Sequence, residues 1–159
     1  MQQAVPQAEI AVLNGGSIRI DDVVQLPVSQ YDILRSLPFG GAIAEADLKG
    51  SLVVQMLEAG RRNYGNGGFL HYNESLTSST ENGTWLLNGQ TLDPQRTYRV
   101  ALPEFLLSGK EANMDFLTSI NSGVVKVYPS AGGKTDPRAD VRLAVVQYLQ
   151  KNKAQFVNQ

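Results

Sequence analysis

Residues 42–60, "AIAEADLKGSLVVQMLEAG", change hydrophobic period without a break, and this limits the folds open to the chain. The first half has the character of a short strand. Leu48, Leu52, Val53, Met56 and Leu57 then follow the 3.6-residue period of a helix with one buried face. Gly60 stands where that helix is expected to stop. Strand-like segments recur in "AEIAVL", "FLHYN", "RTYRVALPEFLL" and "VVKVYP", mixed irregularly with helix-like ones. The pattern predicts an α+β or mixed α/β fold and not a regularly wound parallel sheet.

Local punctuation places the other elements. In "PVSQYDILRSLPFGG", Ser29 is a predicted N-cap and Asp32, three residues on, makes an acidic capping box. Ile33, Leu34 and Leu37 give this helix an apolar face, and Pro38 and Gly40 end it. Asn88-Gly89 in "GTWLLNGQTLD" predicts a tight hairpin turn with a short second arm. Asp136 followed by Pro137 reads as the N-cap of a last helix that buries Val141, Val145, Tyr148 and Leu149. Residues 1–8, polar and aperiodic, read as a frayed end, so the ordered domain is expected over 9–159.

Composition narrows the chemistry. The chain of 159 residues suits one domain. Its 14 basic residues are scattered and outnumbered by 15 acidic ones, which argues against a nucleic-acid partner. The absence of cysteine excludes disulfides, thiolate metal sites and a cysteine nucleophile. His71 is the single histidine, so a histidine-based metal centre cannot be built within the chain. No G-x-S-x-G spacing accompanies it. There is no apolar run of about 18 residues, and no transmembrane helix or signal peptide is expected.

The residues that invite a ligand lie in loops. "VLNGGSIR" ends a strand at Asn14 and passes through Gly15 and Gly16 to Arg19. The glycines permit positive φ or a close backbone approach. Asn14 offers a donor and an acceptor, and Arg19 a planar fork suited to phosphate or carboxylate; a solvated turn is the plainer reading. Phe39 in "LPFGG" and Phe105 in "LPEFL" follow prolines outside regular structure. Such rings either fill the core or stack on a planar ligand. A self-sufficient enzyme would draw its acid and base from Asp115, Glu111 and Glu104.

In this order, "NGGSIR", "YDILRSLPFGG", "DLKGSLVVQMLEAG", "YRVALPEFLLSGK" and "VVQYLQK" resemble the C-terminal domain of the 5'-nucleotidase / UDP-sugar hydrolase family, from about Glu9 to Lys151. The resemblance implies a layered α/β/β/α domain that grips the nucleoside part of a nucleotide. Hydrolysis would fall to an N-terminal metallophosphoesterase domain carrying two divalent metal ions. Its Asp-x-His and Gly-Asn-His-Asp-Glu motifs do not occur in this chain, which alone is expected to be inactive. By resemblance, Asn14 would face the base, Gly16 would let the loop backbone lie close to the ligand, and Arg19 would contact ribose or phosphate. Phe39 and Phe105 would form an aromatic clamp.

The sequence departs from the family in two places. Where members carry Gly-Gly-Asp-Gly after the second phenylalanine, this chain has "SGKEANMDFL", and Glu111 would take over the ribose contact. An upstream helix with a second substrate arginine is expected to precede this chain. The resemblance also implies a periplasmic, secreted or cell-surface location. The alternative use of the same fold is a binding or interaction module whose ligand is not a nucleotide.

Overall fold

The computed structural model describes residues 1–79, 83–128, 133 and 135–153; residues 154–159, the end of the expected domain, lie outside them. In chain order the strands and helices are β1 (Ile10–Asn14), α1 (Gln30–Ser36), β2 (Ile43–Lys49), α2 (Gly50–Arg62), β3 (Leu70–Tyr72) and β4 (Leu76–Ser78). Then follow β5 (Trp85–Leu87), β6 (Gln90–Thr91), β7 (Thr97–Pro103), β8 (Val124–Tyr128) and α3 (Val141–Lys151). A five-stranded sheet has the order β3-β1-β7-β2-β8, and a small sheet the order β4-β5-β6. Only β1 and β7 run parallel; every other described pairing is antiparallel.

The alternation of β2 divides the core. Ala44, Ala46 and Leu48 face α2, whose Leu52, Val53, Met56 and Leu57 pack with Trp85, Leu87 and Leu76 of the small sheet. On the opposite face Ile43 and Ala101 meet Leu37, Val141 and Ala144, at the ends of α1 and α3. The result is a mixed α/β fold with helices on both faces of the central sheet, as the sequence predicts. No helix among the described residues is long and apolar enough to cross a membrane.

Several local expectations hold. The Ser29 Oγ accepts from the Asp32 N–H at 3.2 Å, and the Asp32 carboxylate accepts from the Ser29 N–H at 2.9 Å, closing the capping box. Asn88 and Gly89, at φ 51° and 77°, make the turn between β5 and β6.

Others are corrected. Residues 1–8 are not frayed: Val5 and Ala8 are buried in the core shared by Ile43 and Val141. Leu48 belongs to β2, and α2 runs past Gly60 to Arg62. A Cβ on Gly60 would lie 2.6 Å from the Leu70 Cγ, so this glycine admits β3 against the helix instead of stopping it. The N-cap of α3 is Asp140, not Asp136. The Ile43 N–H donates to the Arg138 carbonyl and the Val141 N–H to the Gly41 carbonyl, which commits residues 138–141 to bridging β2 before a helix can begin. Leu34 and Tyr148, expected on buried faces, are 49% and 40% exposed. Val5 and Ala8 pack in one core with Val141 and Ala144 of α3.

Candidate functional site

The strand directions gather the loops. Because β1 and β7 are parallel neighbours, with Ala11 opposite Ala101, their C-terminal ends open at the same side of the sheet. β2 is antiparallel to β7, with Ile43 opposite Pro103, and β3 antiparallel to β1, with Leu70 opposite Asn14, so both begin there. A crevice beyond the carboxyl ends of strands is a favoured ligand position in open sheets. Here it is a cleft of about 570 Å³, and all six residues singled out in the sequence line it: Asn14, Gly16, Arg19, Phe39, Phe105 and Glu111.

After Asn14 the chain makes a 3-10 turn over Gly15–Ser17. The Gly15 N–H donates to the Phe69 carbonyl and the Gly16 N–H to the Gly67 carbonyl, each at 2.7 Å. A Cβ on Gly16 would stand 3.1 Å from the Gly67 carbonyl oxygen and 3.2 Å from its Cα. Neither Gly15 nor Gly16 has positive φ. What the pair supplies is the second of the two expected roles, a close backbone approach, here between two loops, and its partner Gly67 is 51 positions away.

Asn14 is 6% exposed, and its side chain is engaged on both sides. Its Oδ1 accepts from the Ser17 Oγ at 2.7 Å, and its Nδ2 donates to the Glu111 Oε2 at 2.8 Å. The Glu111 Oε1 accepts from the Ala112 N–H at 2.9 Å. Glu111 is therefore brought from a segment 97 residues away onto the first loop. A carboxylate has about four acceptor positions and two are used, so capacity remains for a ligand donor.

Phe39 and Phe105 do not fill the core. They are 67% and 48% exposed, and both line the cleft. Phe105 is thrown outward by the 3-10 turn Glu104–Leu107, which buries Leu106 and Leu107 instead. Phe39 sits before Gly40 and Gly41, whose φ of 58° and 101° turn the chain back into β2. The Arg19 guanidinium lies 4.8 Å from the centre of the Phe39 ring and has no ion-pair partner among the described residues. The cleft thus combines exposed rings with Arg19, a cation without an ion pair among the described residues, and the Glu111 carboxylate, which suits a planar body bearing a hydroxyl donor and an anionic group.

Ser17 and Gly67 also line the cleft and were not singled out in the sequence. The Asn- and Gly-rich "RRNYGNGG" was the available signal for Gly67, since adjacent glycines mark a close backbone approach. The acids considered for a self-sufficient enzyme are not assembled. Glu104 lines a separate cleft of about 270 Å³, Asp115 lines neither, and only Glu111 reaches the site. No group of three or more His, Asp or Glu among the described residues is placed to hold a metal ion. These residues do not fit a two-metal centre.

Comparison with known proteins places the chain in a family. The family model described as "5'-nucleotidase, C-terminal domain" matches residues 1–119. The chain is 31% identical over 124 residues to Protein UshA of Yersinia enterocolitica, covering 74% of this chain and 22% of the relative. It is 29% identical over 105 residues to Protein UshA of Escherichia coli, covering 64% and 19%. It thus spans about a fifth of the length of these curated relatives. Among solved structures, a 5'-nucleotidase precursor from Thermus thermophilus shares the fold with a TM-score of 0.72 at 22% identity, over 94% of this chain and 30% of that one. The NAD nucleotidase of Haemophilus influenzae does so with 0.69 at 18%, over 95% and 28%. The chain belongs to the 5'-nucleotidase C-terminal domain family.

Proposed function

We propose that the cleft binds the nucleoside part of a nucleotide, and that this domain selects substrate for a 5'-nucleotidase-type hydrolase. The observation that carries the proposal is the exposure of Phe39 and Phe105 in one cleft with Arg19 and Glu111. The two rings offer π-faces to a base. The Asn14 amide keeps one proton beyond its bond to Glu111, and its oxygen a second lone pair, so it can address a base edge. Glu111 has the acceptor capacity for ribose hydroxyls, and the planar fork of Arg19 suits the anionic side. Gly16 contributes backbone, without a side chain to narrow the cleft.

Bond cleavage belongs, in this reading, to a two-metal phosphoesterase domain N-terminal to this one in the same polypeptide. The span of the curated relatives beyond the matched region leaves room for such a domain. A periplasmic, secreted or cell-surface location goes with the same reading.

The test is a titration of the full chain with adenosine, uridine, AMP and UMP, followed by amide chemical shifts. Without a second domain, binding on the order of 1 mM, about 4 kcal/mol, is expected. Shifts should concentrate at Gly16, Phe39, Phe105 and Glu111. Saturable shifts confined to another surface, or none with any of the four probes, would overturn the assignment.

A further inference from the structure

Asn63 follows the last residue of α2, and its side chain is fully buried, at 0% exposure. Its amide is used on every side. Nδ2 donates to the Ala112 carbonyl at 2.7 Å and to the Gly68 carbonyl at 3.2 Å, and Oδ1 accepts from the Asn113 Nδ2 at 2.6 Å. One side chain therefore ties the loop that carries Gly67 to the loop that carries Glu111.

The consequence reaches the cleft through short links. Ala112 is the next residue after Glu111, and its N–H holds the Glu111 Oε1. The other carboxylate oxygen receives the Asn14 amide. Gly68 is wedged between them: a Cβ there would lie 2.4 Å from the Asn63 Nδ2 and 3.1 Å from the Glu111 Oε1. A change in the Asn63 amide removes the bonds that hold Ala112 and Gly68, and each abuts the Glu111 carboxylate. Closing α2 does not need this side chain, because the Asn63 backbone N–H makes that contact with the Ala59 and Gly60 carbonyls.

We propose that Asn63 is a positioning residue of the cleft: by holding Ala112 and Gly68 it fixes the Glu111 carboxylate against Asn14 and so sets affinity for the hydroxyl-bearing part of a nucleoside. The ligand assignment rests on the nucleoside reading above. The geometric part does not.

Asn63→Asp keeps shape and removes the donor, leaving both carbonyls unsatisfied. In the full chain without ligand, the side-chain NH₂ resonances of Asn14 should move toward their positions in Glu111→Ala. Affinity for uridine should fall about tenfold, as for one lost strong hydrogen bond. Affinity for 2',3'-dideoxyuridine, which lacks the hydroxyls, should change less than about twofold. Asn113→Gly releases the Asn63 Oδ1 while tolerating the positive φ of 59° at that position. It should give the same pattern at about threefold, and it serves if Asn63→Asp does not fold.

Unmoved Asn14 resonances in a folded variant, or equal losses for both nucleosides, would overturn the positioning role. If the unaltered chain binds neither nucleoside, the reading of the cleft falls, and the Asn14 resonances alone decide for or against the role of Asn63.

Discussion

Replacing Phe39 separates recognition from folding, because the ring is exposed. Truncating a core phenylalanine to alanine costs about 3–5 kcal/mol. Phe39 is 67% exposed, so only a third of its surface is protected. That share amounts to about 1–1.5 kcal/mol. The Arg19 guanidinium, 4.8 Å from the ring centre, adds a contact worth about 0.5–1 kcal/mol at an exposed site. Phe39→Ala should therefore lower stability by about 2.5 kcal/mol at most. Loss of a stacked base costs about 1–3 kcal/mol, a five- to 150-fold weakening of nucleoside binding. Phe39→Leu sharpens the contrast: it keeps most of the apolar volume and removes the π-face, so affinity should fall nearly as far while stability changes little. Urea melts and nucleoside titrations on the same preparations give both numbers. A stability loss of core size with affinity unchanged within about twofold would refute the reasoning, since it would make Phe39 a packing residue.

Acid should destabilise the chain below the ordinary carboxylate range. Burial pushes the Asp47 carboxyl up, but hydrogen bonds from Arg99 and Tyr128 and the charges of Arg99 and Lys126 outweigh it and hold it below its usual value. Hydrogen bonding from Arg142 lowers Asp140 against its burial. Burial raises Glu58, and Arg61 with Trp85 more than reverses that. Groups depressed in the folded state contribute stability that is present above the unfolded value and lost as pH falls through the folded one. Urea midpoints should thus hold near neutrality and fall below about pH 4. Asp47→Asn should flatten that fall, and an unchanged profile in this variant would count against the assignment. Gly50→Ala should cost about 1–3 kcal/mol by overpacking, because its Cβ would stand 2.0 Å from the Asp93 carbonyl oxygen; equal urea midpoints would contradict this.

Elements whose signals are local were legible in the sequence. Ser29 and Asp32 make the whole capping box within three positions, and Asn88-Gly89 contains its own turn. The errors arise where a distant segment decides. Gly60 looks like a helix stop until Leu70 is seen against it, and Asp136 resembles an N-cap as well as Asp140 does until the bonds from Ile43 and Val141 are drawn. The site follows the same division. Asn14, Gly16, Arg19, Phe39 and Phe105 are marked by residue type and loop position and, like Glu111, given their roles by the family resemblance; all six line one cleft. Asn63 is not marked, because a buried asparagine after a helix has no periodicity to betray it. Its partners at Ala112 and Asn113 are joined only by the fold.

The geometry of the cleft depends on strand register, and a charged network on the sheet favours the native one. Asp47 of β2 lies opposite Arg99 of β7, and their side chains pair directly. The Arg99 Nη1 also reaches the Glu45 Oε1 at 2.5 Å, and Nη2 donates to the Tyr128 hydroxyl of β8 at 2.9 Å. Arg138 closes the other side of Glu45 at 2.6 Å. These contacts bind β7, β2 and β8 in one alignment, in which Ile43 faces Pro103. Phe39 leaves the sheet four residues before Ile43, and Phe105 two residues after Pro103, so their relative positions are set at that pair. A one-residue slip would turn Ala44 and Ala46 out of the core and is excluded by burial alone. A two-residue slip would keep the faces, yet displace the roots of the two loops by about 7 Å. Hydrophobic alternation cannot distinguish that slipped state from the native one. A slip one way would bring Lys49 opposite Arg99, which like charge opposes, and a slip the other way would bring Glu45 there and give up the Asp47 pair to which the Tyr128 hydroxyl also donates, so a cluster that lines no part of the cleft favours the register in which Phe39 and Phe105 share it.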